Sequence, residues 1–138
     1  MGMHRWVVAG LFALGITIGV GIAPYLYAQN AALQSRELIR TDLKNIPGQE
    51  ALIFTSVWQP GFRLPLHIHP EGHEFMYILE GELSFETKGL STRTLKAGEL
   101  VYTEPNVPHY GRNASDNITK TIVIRIKDKS QPIAVEVK

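Results

Sequence analysis

Beyond about residue 47, glycine, proline, asparagine and aspartate interrupt the chain so often that no stretch between them is much longer than one β-strand. An amphipathic helix needs longer runs with apolar residues three and four apart, and the body of this chain has none. The interruptions leave short apolar or alternating runs over 37–41, 51–58, 62–69, 74–79, 83–87, 92–95, 100–103, 109–113 and 118–126. Turns between them are supplied by Gln59-Pro60-Gly61, Pro70-Glu71-Gly72, Glu80-Gly81, Lys88-Gly89, Ala97-Gly98, Pro105-Asn106 and Asp116-Asn117. Hairpins closed by such turns make antiparallel sheets, so an all-β sandwich or barrel is expected over residues 37–138. A last alternation, Ile133, Val135 and Val137, is available to add an edge strand or to cross to a second copy.

The first residues follow another logic. Residues 6–23 carry no charge and lie behind Arg5, the order of a cationic region followed by an apolar core in an export signal. The run also reaches the length that spans a bilayer as a hydrophobic helix. Two outcomes stay open: cleavage after Ala28, with Leu26 a poor residue at the minus-three position, or retention as a membrane anchor. In both, residues 1–28 are the export element, 29–36 a polar connector, and the body lies in the periplasm or outside the cell, because Arg5 has no basic competitor before Arg36.

Composition removes several function classes. Fourteen Lys plus Arg against thirteen Asp plus Glu give a net charge of +1, and no basic run forms a stripe that could neutralise phosphates, so nucleic acid is not an expected partner. With no cysteine there are no disulfides and no thiolate ligands; any metal must be held by imidazole, carboxylate or water.

Three of the five histidines are spaced so that strand geometry gathers them. His67 and His69 are two apart and share one face of a strand. Glu74 opens the next run after a turn containing Pro70 and Gly72, and His109 begins a run about forty residues later. Three imidazoles and a carboxylate suit Fe, Mn, Ni, Cu or Zn as a divalent ion, and they leave one or two positions of an octahedral site for water or substrate.

These residues also carry a family resemblance. Gly61, His67, His69, Glu74 and Gly81 stand with five, one, four and six residues between them, which resembles the first cupin motif at each fixed position. Gly98, Pro108, His109 and Asn113 resemble the second, with Glu104 where that motif has proline and Asn106 where it has the turn glycine. Asparagine tolerates the left-handed conformation best after glycine. The resemblance covers roughly residues 48–126. It implies a single antiparallel cupin barrel of jelly-roll type with one divalent transition metal on His67, His69, Glu74 and His109.

Same-face reasoning adds neighbours: Arg63 before His67, as a seat for an anionic substrate; Met76 after Glu74; and Asn113 after His109. His73 is read as lying behind the ligands or exposed, since the spacing to Gly81 selects Glu74. Phe75, Tyr77 and Leu79 fall on the opposite face, where packing between sheets is the expectation. Three functions follow from the resemblance: a metal-dependent dioxygenase-type enzyme on a small organic substrate, a non-catalytic module binding a small ligand or metal, and a metal-dependent isomerase or decarboxylase. The last needs a positioned acid or base, and apart from Glu74 the sequence offers no confident inward carboxylate or lysine. Apolar edge material over 38–43 and 133–137 points to a homodimer that covers it.

Overall fold

Backbone pairing sorts the strands into two antiparallel sheets. The computed structural model describes residues 29–30 and 32–138, so the export element expected over 1–28 lies outside the described residues. In spatial order, one sheet holds β1 (Gln29–Asn30), β2 (Leu33–Asp42), β3 (Gln49–Trp58), β10 (Thr119–Asp128), β5 (His73–Glu80) and β8 (Leu100–Thr103). The other holds β11 (Val135–Glu136), β4 (His67–Ile68), β9 (His109–Arg112), β6 (Glu82–Thr87) and β7 (Arg93–Lys96). From β3 to β6 and again from β7 to β11 the chain changes sheet at every connection, the winding of a jelly roll.

The two sheets close on a shared core. Trp58, Met76, Ile78, Val101 and Val123 from the first meet Leu83, Phe85 and Leu95 from the second. Alternation supplies these residues: along β10 every second side chain is buried, and β5 and β6 do the same over most of their length. The Trp58 indole N–H donates to Thr121 Oγ1 at 3.1 Å, so its one polar atom is satisfied inside the core. Gly81 shows why the β5–β6 turn requires glycine. Its φ is +78°, and a Cβ there would stand 2.6 Å from the Ile118 carbonyl oxygen.

Several elements differ from expectation, each for a physical reason. The run expected as one strand over 62–69 is regular only at β4, because Pro65 interrupts it. Residues 61–64 still bond to the stretch after His109, with Leu64 N–H donating to the Gly111 carbonyl and Asn113 N–H to that of Phe62. β2 begins at Leu33, inside the expected connector, and β1 pairs back on its start. Both segments read as spare edge material are used by this chain itself. β2 pairs with β3 along its length, and Val135–Glu136 pair with Ile68 and His67. Leu38 and Ile39 nevertheless stay exposed in the part of β2 beyond its pairing with β1. Tyr77 and Leu79 are exposed as well, on the outside of the sheet and away from the packing between sheets.

Candidate metal centre

The site is built by register. In the β4–β9 pair His67 stands directly opposite His109, so the two imidazoles share one face. His69 follows two residues after His67, where the chain leaves β4, and its carbonyl accepts from Gly72 N–H and Asn106 N–H. Asn106 takes φ +63°, the left-handed conformation a turn glycine would adopt, and its side-chain amide donates to Glu71. The two connections around His69 are thereby braced against each other. The three rings form a near-equilateral set with centroids 4.5, 4.8 and 4.9 Å apart.

Each histidine is locked in one tautomer. His67 Nδ1 lies 2.8 Å from the Pro65 carbonyl, His69 Nδ1 2.8 Å from that of Ile133, and His109 Nδ1 2.8 Å from that of Val107. A carbonyl only accepts, so all three Nδ1 atoms carry the proton and all three Nε2 atoms present lone pairs. The Nε2 atoms of His69 and His109 face each other at 3.1 Å. Two lone pairs at that separation repel unless a cation lies between them. Ligands about 2.1 Å from one ion stand about 3.0 Å apart at right angles and about 3.4 Å apart at tetrahedral angles. His67, His69 and His109, all buried, could therefore hold a metal ion, and their nitrogens cluster within 4.8 Å of one another. Burial, and then the neighbouring His109, push the His67 pKa down to about 3; burial, and then the Arg125 charge, lower that of His69. Both rings are neutral at ordinary pH, as metal ligation requires.

Glu74 enters from the opposite sheet. Its oxygens lie 3.4 Å from His69 Nε2 and 3.5 Å from His109 Nε2. Burial would raise its pKa, but the charge of Arg125, 2.5 Å away, holds the carboxyl well below the usual range. Arg125 was not legible as a site residue. It stands opposite Glu74 in the β10–β5 register, donates from Nη1 to the Ile133 carbonyl, and its buried Nε–H has no acceptor among the described residues. One step further along the sheets, Lys127 donates to Glu50 Oε1 at 3.1 Å, and Arg40 reaches the same oxygen at 2.9 Å.

Beside this cluster lies a cavity of ≈ 350 Å³, bordered by His67, His109, Glu74, Arg125 and Met76 and crossed by the tail segment 131–134. Met76 is thus where same-face reasoning puts it. The other neighbours lie elsewhere. Pro65 shifts the alternation so that Leu64 and His67 both turn inward, and Arg63 points out, its guanidinium stacked 3.9 Å over the Tyr110 ring. His73 is on the outer face, its Nδ1 2.7 Å from the Tyr102 hydroxyl. Asn113 is inward and fully buried but at the far end of its strand. It donates to the Trp58 and Asn117 carbonyls and accepts from Ser115, which fixes the 113–117 turn.

The sequence profile of the cupin domain family matches residues 54–125, more than half of the chain. The chain belongs to the cupin family. Among curated relatives, a germin-like protein of subfamily 2 from Arabidopsis thaliana is 34% identical over 79 residues, which cover 52% of this cupin and 36% of that protein. The chain spans less than half the length of the curated relatives it matches. Among solved structures, a conserved double-stranded β-helix protein from Klebsiella pneumoniae superposes with a TM-score of 0.65 at 16% identity, covering 84% of this chain and 93% of that one. Oxalate oxidase in complex with the substrate analogue glycolate superposes with a TM-score of 0.59 at 23% identity, covering 77% and 55%. At such identities the superpositions establish the shared fold, and the glycolate complex shows a cupin neighbour binding a small ligand.

Proposed function

We propose that this cupin is an exported, metal-dependent enzyme of dioxygenase type acting on a small organic substrate, with His67, His69, Glu74 and His109 as metal ligands. The observation that carries the reading is the set of three Nε2 lone pairs, fixed by three backbone carbonyls, beside a cavity large enough for a small molecule. Held there, a divalent transition metal supplies Lewis acidity and, for iron, manganese or copper, redox chemistry. The chain's own residues do the rest. The carbonyls orient the imidazoles, the Arg125 charge keeps Glu74 ionised, and Met76, Phe85 and Val123 give the cavity beside the ligands a dry wall. Export rests on the apolar run behind Arg5 and is tested by fractionating cells that express the full chain; a soluble cytoplasmic protein would overturn it.

One observation favours a second reading, a metal-dependent isomerase or decarboxylase. Lys127 and Glu50 are inward and border the cavity, so it does contain an acid–base pair besides Glu74. Elemental analysis of natively purified protein, followed by an oxygen-uptake screen over small phenols and keto acids, separates the two. Stoichiometric metal with substrate-dependent oxygen uptake supports the first reading. Substrate turnover without oxygen uptake replaces it with the second, and protein without metal refutes both.

A further inference from the structure

The cavity has two chemically different ends, and the register shows where they meet. Strands β3, β10 and β5 present inward residues in rungs. Phe54, Val123 and Met76 form one rung; Leu52, Arg125 and Glu74 form the next; Glu50 and Lys127 form the one beyond. Each rung lies about 6.8 Å from the last. Within one step the wall changes from apolar to ionic, and His67 and His109 face it from the other sheet.

At the ionic end the wall carries Arg40, Arg125, Lys127 and Lys129 with Glu37, Glu50 and Glu74, and Lys129 is exposed and paired with Asp42. Lys127 and Arg40 are committed to Glu50. Arg125 is not fully committed: of the four N–H groups on its two terminal nitrogens, Glu74 and the Ile133 carbonyl take one each. A guanidinium that borders the cavity with terminal N–H groups to spare is a seat for a carboxylate oxygen. A divalent ion on the histidines would add further positive charge to the neutral Arg125–Glu74 pair, and buried charge of one sign draws an anion.

At the other end the polar atoms already have partners. Ser56 Oγ lies 2.8 Å from Ser35 Oγ, and Thr121 Oγ1 takes the Trp58 indole N–H. A polyhydroxylated ligand placed there would leave its hydroxyls unpaired, whereas an alkyl group fits without that cost.

We infer that the cavity takes a small amphipathic monocarboxylate, its carboxylate against Arg125 and its apolar end between Phe54, Val123, Met76 and Trp58. This rests on the reading of the cavity as a substrate site and names the substrate class.

The test is calorimetric titration of the full chain, loaded with Zn(II) and also stripped of metal, with hexanoate, hexanol, acetate and gluconate. Metal content is measured on the same samples. Each buried methylene is worth about fourfold in affinity, offset in part by ordering of the tail. Hexanoate should therefore bind at least about tenfold more tightly than acetate, and more tightly than hexanol by a similar factor because the alcohol leaves Arg125 unpaired. Gluconate should bind no better than acetate. Val123→Phe, which fills the apolar end, should remove the advantage of hexanoate over acetate and leave the zinc content unchanged. Hexanol matching hexanoate would overturn the carboxylate seat, and acetate or gluconate matching it would overturn the apolar end. Stoichiometric zinc with no hexanoate preference sinks this inference alone. A hexanoate preference in protein that takes up no zinc supports it while refuting the metal centre.

Discussion

Acid should destabilise the metal-free protein through His67 in particular. Its folded pKa is about 3, against 6.5 for a free imidazole, because burial and the facing His109 disfavour the cation. A base whose pKa is depressed by folding stabilises the native state above its unfolded value, and that contribution is lost as pH falls from 6.5 towards 3. Between about pH 7 and about pH 4 the unfolded imidazole takes up a proton that the folded one refuses, at a cost of about 3 kcal/mol. Glu74 acts in the same direction, since its folded pKa is also depressed and the unfolded carboxyl protonates first as pH falls. Urea denaturation of the metal-free chain at both pH values measures the loss, and His67→Asn isolates the contribution of one ring. The variant should be less stable at neutral pH but lose about 3 kcal/mol less on acidification. Parallel pH dependences for wild type and variant would show that the ring is not held neutral by the fold, and the lone-pair argument for a metal would fail with it.

Glu74→Gln should weaken Zn(II) binding, read by competition with a chelator, by at least about tenfold, whereas His73→Gln, on the outer face with Tyr102, should change it by no more than about twofold. The reverse order would place His73 in the site. Asn113→Ala removes the donor to the buried Trp58 carbonyl and the part-buried bond to Asn117 and should cost about 2 kcal/mol of stability by denaturant titration while leaving metal stoichiometry intact; lost metal with full stability would give Asn113 a role at the site. Gly81→Ala and Gly89→Ala both place a side chain at positive φ, but only the first meets backbone within 4 Å. The second should cost about 1 kcal/mol and the first clearly more, so equal losses would rule out the close approach to Ile118 as the reason for glycine.

The strand pattern was largely legible because turn chemistry is local. Glycines at 81, 89 and 98 all adopt positive φ, and Asn106 does the same where glycine is absent. The histidine set was legible because strand alternation and a short turn suffice to gather it. Arg63 was misplaced because its assignment carried one alternation through Pro65, and a proline that breaks the ladder also breaks the phase. Arg125 and Lys127 were missed because in β10 the apolar series Ile122, Ile124 and Ile126 suggests a core face, yet these isoleucines are only half-buried and the alternate set is inside, and Glu50 lies one residue before the run expected over 51–58. The available signal was phase: Arg125 and Lys127 share a face with Val123 and Thr121, which the register sets against Met76 and Ile78 of β5. A barrel that keeps a cavity spends some of its inward positions on polar groups, so apolar content alone misassigns the faces there.

The tail was the least legible element, because what it does depends on a backbone atom. The Ile133 carbonyl accepts from both His69 Nδ1 and Arg125, and Val135 and Glu136 pair with Ile68 and His67. No side-chain pattern encodes a carbonyl position, so the alternation of Ile133, Val135 and Val137 could be read only as a spare edge. In the fold the same three-residue rhythm registers the segment against β4 and brings the carbonyl to the imidazole. The end of the chain therefore acts on the ligand set directly: it selects the His69 tautomer that points Nε2 at the cluster, and it holds the arginine that keeps Glu74 ionised. A dimer that exchanged this segment would have to supply the partner's Ile133 carbonyl to each His69, which ties any such exchange to the integrity of the metal centre.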